Sequence, residues 1–304
     1  MPSTAALPPL PKPAKNYRYS VLPGFFAQSD PKTDEHTFPQ HPARFGLMDD
    51  SDDRWKRFRA RIQGLNKEAR KKRLKSRVKF LLFQRHGQGE HNLAEQKYGK
   101  KLWDEYYSKQ PEYFDPSLTP LGITQTTSVR NLLKTELTHS YPLPQLLVSS
   151  PLSRCLNTTF LIYSTLLSPP SQPQPSTQIT LTSQHPHITP LVHELFREQY
   201  GDHTCDARRS RTDLKSLYPQ FDYANLFSNS DELWKADERE PVEHVDQRVK
   251  EGLDWIWNRG EEEEFVSVVA HGGIVEGMFR VTGHREFEVV PGGFLPMVVR
   301  GEWD

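Results

Sequence analysis

Residues 78–87 read VKFLLFQRHG, a short run of apolar and β-forming residues that stops at an arginine, a histidine and a glycine. The run is too brief for a helix and lacks polar alternation, which is typical of a parallel strand buried on both faces. Two further runs share this pattern, QLLVS at 145–149 and FVSVVA at 265–270. The sequence therefore predicts three buried strands of one sheet.

Helical patterns lie between these strands. Apolar residues recur at helical spacing over residues 121–137, 153–167 and 241–258, and the last segment starts at a proline and precedes a glycine. Another helix is predicted over residues 52–79. Strands that alternate with helices indicate an α/β fold with an open, mostly parallel sheet covered on both faces.

Composition restricts the function classes. Lys and Arg together number 39, as do Asp and Glu, so the overall charge gives no sign of a nucleic-acid partner. The basic run at the end of the helix predicted over 52–79 favours a solvated face over a nucleic-acid or membrane surface. No apolar stretch is long enough to span a membrane, and the proline-rich N-terminal residues lack a signal-peptide pattern. We expect a soluble cytoplasmic protein, with a nuclear location left open.

Three segments are expected along the chain. Residues 1–50 are rich in Pro, Ser and Asp and are predicted to form an extended arm that packs on the core, and residues 51–304 are predicted to form a catalytic domain. A Pro/Ser/Gln-rich surface loop is predicted at 168–187. It contains His185 and His187, which have no partners at metal-ligand spacing and should be solvent-exposed. The two cysteines, Cys155 and Cys205, are expected as thiols.

The residues that follow the three predicted strands are of related chemical kinds. Parallel strands place their carboxyl ends at one edge of a sheet, so the side chains directly after them converge. The three groups are Arg85-His86-Gly87, Ser150-Pro151-Leu152-Ser153-Arg154 and His271-Gly272-Gly273. Two histidines and two arginines are therefore expected to meet.

This combination fits phosphoryl transfer. Arg85 and Arg154 would hold the non-bridging oxygens of a phosphomonoester, because guanidinium is permanently charged and donates in pairs. His86 would attack phosphorus as a neutral imidazole, and His271 would stabilise charge on the transferring group. We expect neither a metal nor a cofactor, and a small phosphorylated substrate.

Two glycines have an expected role beside these side chains. Gly87 would let the backbone approach the phosphate closely, and Gly272, at a predicted helix N-terminus shared with Gly273, would add a backbone N–H donor.

The motifs resemble those of a known family. The stretches FQRHGQGEHN (83–92), SSPLSRCLNT (149–158) and VVAHGG (268–273) resemble the motifs of the histidine phosphatase superfamily. Through nearly the whole chain the sequence is similar to the fungal and plant phosphoglycerate-mutase-like proteins of that superfamily. The resemblance implies a three-layer α/β/α sandwich, metal-free catalysis through a phosphohistidine, and a contact between Asn92 and the phosphoryl group.

The resemblance also implies a general acid, for which two glutamates are candidates. Glu198 lies three residues before Gly201 and Glu194 lies seven before it, whereas the family pattern has four. We prefer Glu198. Gln88 also departs from the better-known mutases, which carry Glu there. The nearby residues Cys205, Asp206, Arg208 and Arg209 either line the substrate side of the cleft or form a capped helix start at Asp206 with exposed arginines.

Three functions remain open at this point. A phosphatase releases the phosphoryl group to water, whereas a mutase returns it to the substrate from a closed, strongly basic pocket. The glycolytic mutases resemble E-R-H-Y-G around the acid, and this chain reads EQYG at 198–201, without that arginine. This favours the phosphatase. A non-catalytic binding protein is disfavoured because the two histidines and two arginines are all present. The oligomeric state is not indicated.

Overall fold

A computed structural model describes residues 15–166 and 188–304. The first fourteen residues of the predicted arm and the predicted loop at 168–187, including His185 and His187, lie outside the described residues.

A seven-stranded sheet forms the centre of the described structure, in the order β1-β7-β2-β6-β3-β4-β5. The strands are β1 (Tyr17–Val21), β2 (Ser76–Arg85), β3 (Leu146–Ser149), β4 (Leu191–His193), β5 (Asp222–Asn225), β6 (Phe265–Ala270) and β7 (Phe294–Trp303). The five strands from β2 to β5 in this order are mutually parallel, and β7 and β1 extend the sheet as antiparallel strands. The predicted mostly parallel α/β fold is confirmed.

Eight helices accompany the sheet in the described ranges. They are α1 (Arg54–Lys71), α2 (Glu90–Tyr98), α3 (Lys100–Glu105), α4 (Pro120–Thr138), α5 (Ser153–Tyr163), α6 (Arg211–Leu217), α7 (Val242–Asn258) and α8 (Gly272–Thr282). Within these ranges no helix is both long and apolar enough to cross a membrane.

Alternate residues of β2 supply the two faces of the sheet. Leu81 and Phe83 belong to a buried cluster with the apolar stripes of α7 and α8. Phe80 and Leu82 point the other way and belong to a second cluster with α1, α4 and α5. Because successive side chains of a strand point to opposite faces, an uninterrupted apolar run is required for burial on both. The helices therefore form one layer on each side of the sheet.

One helix prediction was too long. The helix predicted over 52–79 ends at Lys71, and its last predicted residues, Ser76 to Lys79, belong to β2. The chain leaves the helix through a turn in which Arg73 has a φ of +54°. A residue in the left-handed region ends helical hydrogen bonding. The basic residues around Arg73 do not indicate this turn in the sequence.

The segment before α1 contributes to the sheet and the core. β1 pairs antiparallel with β7, and Phe25, Phe26 and Phe45 are buried in the same cluster as α1. The residues from 15 to 50 thus pack on the sheet, and their division from the rest as a separate arm stays a prediction.

Candidate active site

The three predicted motifs meet at one edge of the sheet because β2, β6 and β3 are neighbours. The backbone N–H of His86, directly after β2, donates to the carbonyl of Ala270 at 3.0 Å, and that of Ser150, directly after β3, donates to Val269 at 2.9 Å. These bonds continue the parallel ladder one residue past the strands. The segments carrying His86, Arg154 and His271 are therefore held side by side.

His86 is buried, and its ring nitrogens have different partners. Nδ1 lies 2.7 Å from the carbonyl oxygen of Gly87, which can only accept, so Nδ1 carries the proton. Nε2 then has a free lone pair, toward which Nε of Arg154 donates at 3.2 Å. Burial, together with the positive charges of Arg154 and Arg85, lowers the pKa of His86 well below its ordinary value. His86 is thus a neutral imidazole whose Nε2 lone pair accepts from Arg154 and can attack phosphorus once that hydrogen bond is given up.

Arg154, near the start of α5, is almost completely buried. Its Nη1 donates to the carbonyl of Cys205, and its Nη2 pairs with Oδ1 of Asp206 at 3.0 Å. The other oxygen of Asp206 accepts from Arg239 at 2.9 Å. Burial raises the pKa of Asp206, but Arg239 and Arg154 outweigh it and hold that pKa below its ordinary value. Asp206 is therefore an anion that fixes the guanidinium of Arg154.

Arg85, the last residue of β2, is held through one nitrogen. Its Nη1 donates to the carbonyl of Val289 at 2.9 Å, whereas Nε is buried without a partner in the described residues. The guanidinium lies against Gly272, where an added Cβ would come within 3.3 Å of Cζ. Burial lowers the pKa of Arg85. This guanidinium has hydrogen-bonding capacity that the described protein does not use.

His271 is the N-cap residue of α8, and Gly272 begins that helix as predicted. Its Nε2 lies 2.7 Å from Oγ of Ser150 and 3.3 Å from Sγ of Cys155. Its ring centroid is 5.1 Å from that of His86. Burial and the charge of Arg154 lower the pKa of His271 well below its ordinary value. The site therefore combines two neutral histidines with two arginines.

Two residues predicted to bind the substrate follow β2, namely Gly87 in the loop after the strand and Asn92 in the first turn of α2. A Cβ at Gly87 would come within 2.4 Å of the carbonyl oxygen of Gly122 in α4, so the contact that requires glycine is with this helix. Asn92 accepts from the backbone N–H of Gly89 at 3.0 Å through Oδ1, which caps α2. The amide nitrogen of Asn92 remains for a ligand. Binding of phosphate by either residue stays a prediction.

Glu198 and Glu194 differ in their surroundings. Glu198 lies at the N-terminus of α8, where its carboxylate accepts from the backbone N–H of Gly273 at 3.4 Å. Burial, and next the negative charge of Asp206, raise the pKa of Glu198. Glu194 is completely buried and pairs with Arg197 and Arg208, both at 2.9 Å. The preferred acid thus adjoins the histidine-bearing helix, and the alternative belongs to a buried ion-pair cluster.

Curated relatives share most of this chain. A "Probable phosphoglycerate mutase" of Arthroderma benhamiae is 38% identical over 93% of this chain and 84% of its own length. "Phosphomutase-like protein 3" of Candida albicans is 32% identical over 74% of this chain and 67% of its own. The chain belongs to the phosphoglycerate-mutase-like family of the histidine phosphatase superfamily. No family model matches the sequence.

Two solved structures are similar to this phosphoglycerate-mutase-like protein at low sequence identity. A phosphoglycerate mutase of Bacillus anthracis is 16% identical with a TM-score of 0.45, over 74% of this chain and 89% of its own. A putative alpha-ribazole-5'-P phosphatase of Escherichia coli is 19% identical with a TM-score of 0.42, over 72% and 90%. Family membership identifies the chain as an enzyme of the general phosphatase or mutase type.

Sequence reasoning missed two residues that position Glu198 in this phosphoglycerate-mutase-like protein. Arg248 of α7 is buried and donates to the carbonyls of Leu195, Arg197 and Glu198. Both carboxylate oxygens of Glu240 accept from Arg248 at 2.6 Å. The amphipathic pattern of α7 places Arg248 among its core-facing residues. An arginine at such a position is rarely buried without partners, and this is the signal that could have indicated its role.

The open question about residues 205–209 has a mixed answer. Asp206 holds Arg154 and is part of the site's framework. Arg208 is buried, pairs with Glu194 and donates to backbone carbonyls at 228–230, so it does not line the cleft. Arg209 is half-exposed beside Asp115. The capped helix start is at Ser210, not Asp206, because the side chain of Ser210 accepts from the backbone N–H of Asp213. The alternative of exposed arginines after a cap at Asp206 was therefore wrong.

Within the described ranges, one group of side chains has metal-ligating atoms close together, namely His203, Cys205 and Asp206, all within 4.8 Å. Both oxygens of Asp206 already accept from arginines, and burial raises the pKa of the Cys205 thiol well above its ordinary value. Guanidinium groups repel a cation and a protonated thiol is a weak ligand. This donor set does not fit a metal ion.

Proposed function

We propose that this protein is a metal-independent phosphomonoester hydrolase that acts through a phosphohistidine intermediate. The observation that carries the proposal is the state of His86. Its Nδ1–H donates to the Gly87 carbonyl, and its Nε2 accepts from Arg154. The pKa of the ring lies well below its ordinary value. A buried imidazole prepared in this tautomer is suited to nucleophilic attack.

Phosphorylation of His86 would proceed as an in-line displacement. A bond forms between Nε2 and phosphorus while the bond from phosphorus to the leaving oxygen breaks, and the proton of Glu198 moves to that oxygen. The raised pKa of Glu198 supports its role as the proton donor. Water then attacks the phosphohistidine, the phosphorus–nitrogen bond breaks, and the water proton passes to the Glu198 carboxylate. The cycle thus returns both residues to their starting states.

The positive charge that this transfer needs is available from side chains. Arg154 is oriented by Asp206, and the buried Nε of Arg85 has no partner in the described protein. Fixed cationic donors stabilise the charge that spreads over the equatorial oxygens, as Mg²⁺ does in other phosphoryl-transfer sites. His271 would add a neutral donor. This supports transfer without a metal ion.

A phosphoglycerate-mutase-type phosphotransferase is the second candidate, and one observation favours it. Arg239 donates to the carbonyl of Gly201 and to Asp206, so an arginine lies near Glu198 although the residue directly after Glu198 is Gln199. Burial lowers the pKa of Arg239, but Asp206 and then Glu198 outweigh it and raise that pKa. This guanidinium could hold an anionic substrate for return of the phosphoryl group. The phosphatase is preferred because one side of Arg239 is already engaged by Asp206.

A screen of phosphorylated metabolites with the purified chain tests the proposal. Phosphate release is expected for at least one phosphomonoester, with and without EDTA, and brief incubation should leave an acid-labile, base-stable phosphoryl label. His86→Ala should lose both the release and the label. Activity that vanishes with EDTA and returns with Mg²⁺ or Zn²⁺ would refute the metal-free mechanism, and a label retained by His86→Ala would place the nucleophile elsewhere. Transfer to a second hydroxyl without release would favour the mutase.

A further inference from the structure

A third histidine, His91, lies beside His86 in the first turn of α2. Its side chain is 7% exposed, and its ring centroid is 5.5 Å from that of His86. Its Nδ1 is buried and has no hydrogen-bond partner among residues 15–166 and 188–304. Burying a polar group without a partner is costly, so an apolar side chain would suit a purely structural position better. His91 therefore needs another explanation.

The packing of the ring indicates which nitrogen is available. A Cβ added to Gly89 would come within 2.6 Å of Nδ1, so this nitrogen is pressed against the Gly89 backbone and no ligand atom fits between them. An unpaired N–H is rarer in protein interiors than an unpaired acceptor. The proton then belongs on Nε2, the ring nitrogen that does not face Gly89.

The surroundings also set the charge of the ring. Burial, and after it the charge of Arg154, lower the pKa of His91 well below its ordinary value, with smaller effects from His86 and Arg85. The ring is thus neutral. The charged groups that lower its pKa are the ones that would surround a phosphoryl group on His86. A neutral N–H donor in such a place can bind a phosphoryl oxygen without adding a further charge.

We propose that His91 is a third histidine of the catalytic centre, whose Nε2–H binds an oxygen of the phosphoryl group during its transfer to His86. This role rests on the proposed function. It gives the ring a hydrogen-bond partner at Nε2, while Nδ1, confined against Gly89, stays an unpaired acceptor.

Two substitutions separate the donor from the packing. His91→Leu removes the donor and keeps an apolar side chain, so kcat/KM for a phosphomonoester should fall about ten- to hundredfold. The melting temperature should be unchanged or higher, because a buried unpaired nitrogen is removed. His91→Gln can present an N–H near the position of Nε2 and should recover most of the lost kcat/KM.

Gly89→Ala tests the same residue without changing it. Gly89 has φ −94° and ψ 164°, which alanine adopts readily, and the close contact of the added Cβ is with the ring of His91. Displacement of the ring should lower kcat/KM in the same direction as His91→Leu. In a His91→Ala background no ring is left to displace, so Gly89→Ala should then have no further effect on kcat/KM.

His193 provides a matched control, because it is also a buried histidine but its Nδ1 accepts from the backbone N–H of Leu195. His193→Leu should lower the melting temperature and leave kcat/KM unchanged, the reverse of His91→Leu. Wild-type kcat/KM in His91→Leu, while the wild type hydrolyses its substrate, would overturn the role of His91 and leave the proposed function standing. Absence of hydrolysis and of label in the wild type would overturn both.

Discussion

The two halves of the site are built differently. The nucleophile half, named for the proposed role of His86, consists of Arg85, His86, Arg154 and His271, which lie at or shortly after the ends of three neighbouring strands and whose segments are positioned by the sheet's own hydrogen bonds. The acid half, named for the proposed role of Glu198, consists of Glu198 and of the buried pair that holds its segment, Arg248 and Glu240. Asp206 joins the two halves by pairing with Arg154 and Arg239. Regular secondary structure positions the first half. Long-range ion pairs position the second, so its geometry depends on charges far apart in sequence.

The largest expected effect distinguishes Glu198 from Glu194, the other candidate for the general acid. Glu198→Gln should slow phosphorylation of His86 by about 10²–10⁴-fold with an alkyl phosphate, because an alkoxide must be protonated as it leaves. With p-nitrophenyl phosphate the loss should be much smaller, because nitrophenolate departs nearly unassisted. Single-turnover mixing measures this step in isolation.

Glu194→Gln serves as the control for this pair of measurements. It leaves Arg208 without its buried partner charge, while Arg197 keeps Asp231, so the protein should be less stable in urea while the ratio of the two rates stays at the wild-type value. A leaving-group dependence in Glu194→Gln, and none in Glu198→Gln, would mean that the acid lies four residues earlier.

In the nucleophile half, Arg154→Lys should lower kcat about 10²–10³-fold, since lysine keeps the charge but cannot donate to His86, Cys205 and Asp206 at once. The first-step rate should fall equally for alkyl and nitrophenyl phosphates. An effect confined to the alkyl substrate would assign Arg154 to the leaving group, and the two halves would not be separate.

The corresponding arginine of the acid half should affect stability more than rate. Arg248→Lys keeps the charge beside Glu240 but cannot also donate to three carbonyls, and leaving buried acceptors unpaired costs about 1–3 kcal/mol. The free energy of unfolding, measured in urea, should fall by roughly that amount. If Arg248→Lys unfolded at the same urea concentration as the wild type, the acid half would not depend on the contacts of Arg248.

The smallest expected effect is on the pH dependence of stability, and it has opposite signs for His271 and Glu198. The pKa of His271 is lowered, so below about pH 6.5 the unfolded chain binds a proton that the folded chain does not. The free energy of unfolding therefore decreases as the pH is lowered, by up to about 1.4 kcal/mol per pH unit. The pKa of Glu198 is raised, so the folded chain retains a proton above about pH 4.5 and stability falls as pH rises there.

Urea unfolding between about pH 5 and 6.5 measures both contributions. His271→Gln should make stability less dependent on pH in this range, and Glu198→Gln should make it rise more steeply with pH. A change of the same sign in both variants would contradict the assignment of opposite shifts.

The sequence predicted the nucleophile half because its information is local. Each motif directly follows an apolar run, and the parallel sheet brings the three runs to adjacent positions. The choice between Glu198 and Glu194 could not be made from spacing, since the intervening 3-10 turn at Glu194–Phe196 changes the direction of the backbone. Arg248 and Glu240 were missed, and the pairing of Asp206 with Arg154 was not predicted, because a charge in a helix or loop does not reveal its distant partner.

The central strand β7 was missed for a different reason. Pro296 within the run argues against a central strand, since proline cannot donate to the ladder. The structure pairs Pro296 with Leu82 and places β7 between β1 and β2. β1 pairs with β7 only at residues 299–303, so at Pro296 one edge of β7 has no partner in β1 and a missing donor is tolerated there.

The position of β7 also bears on when the enzyme can become active as it is synthesised. β2, which ends in the residues of the nucleophile half, leaves the ribosome early, but its neighbours β6 and β7 come from much later in the chain. Until then both edges of β2 lack their permanent partners, and an unpaired apolar strand is open to association with other chains. The ordered site therefore arises only after β6 and β7 have been synthesised.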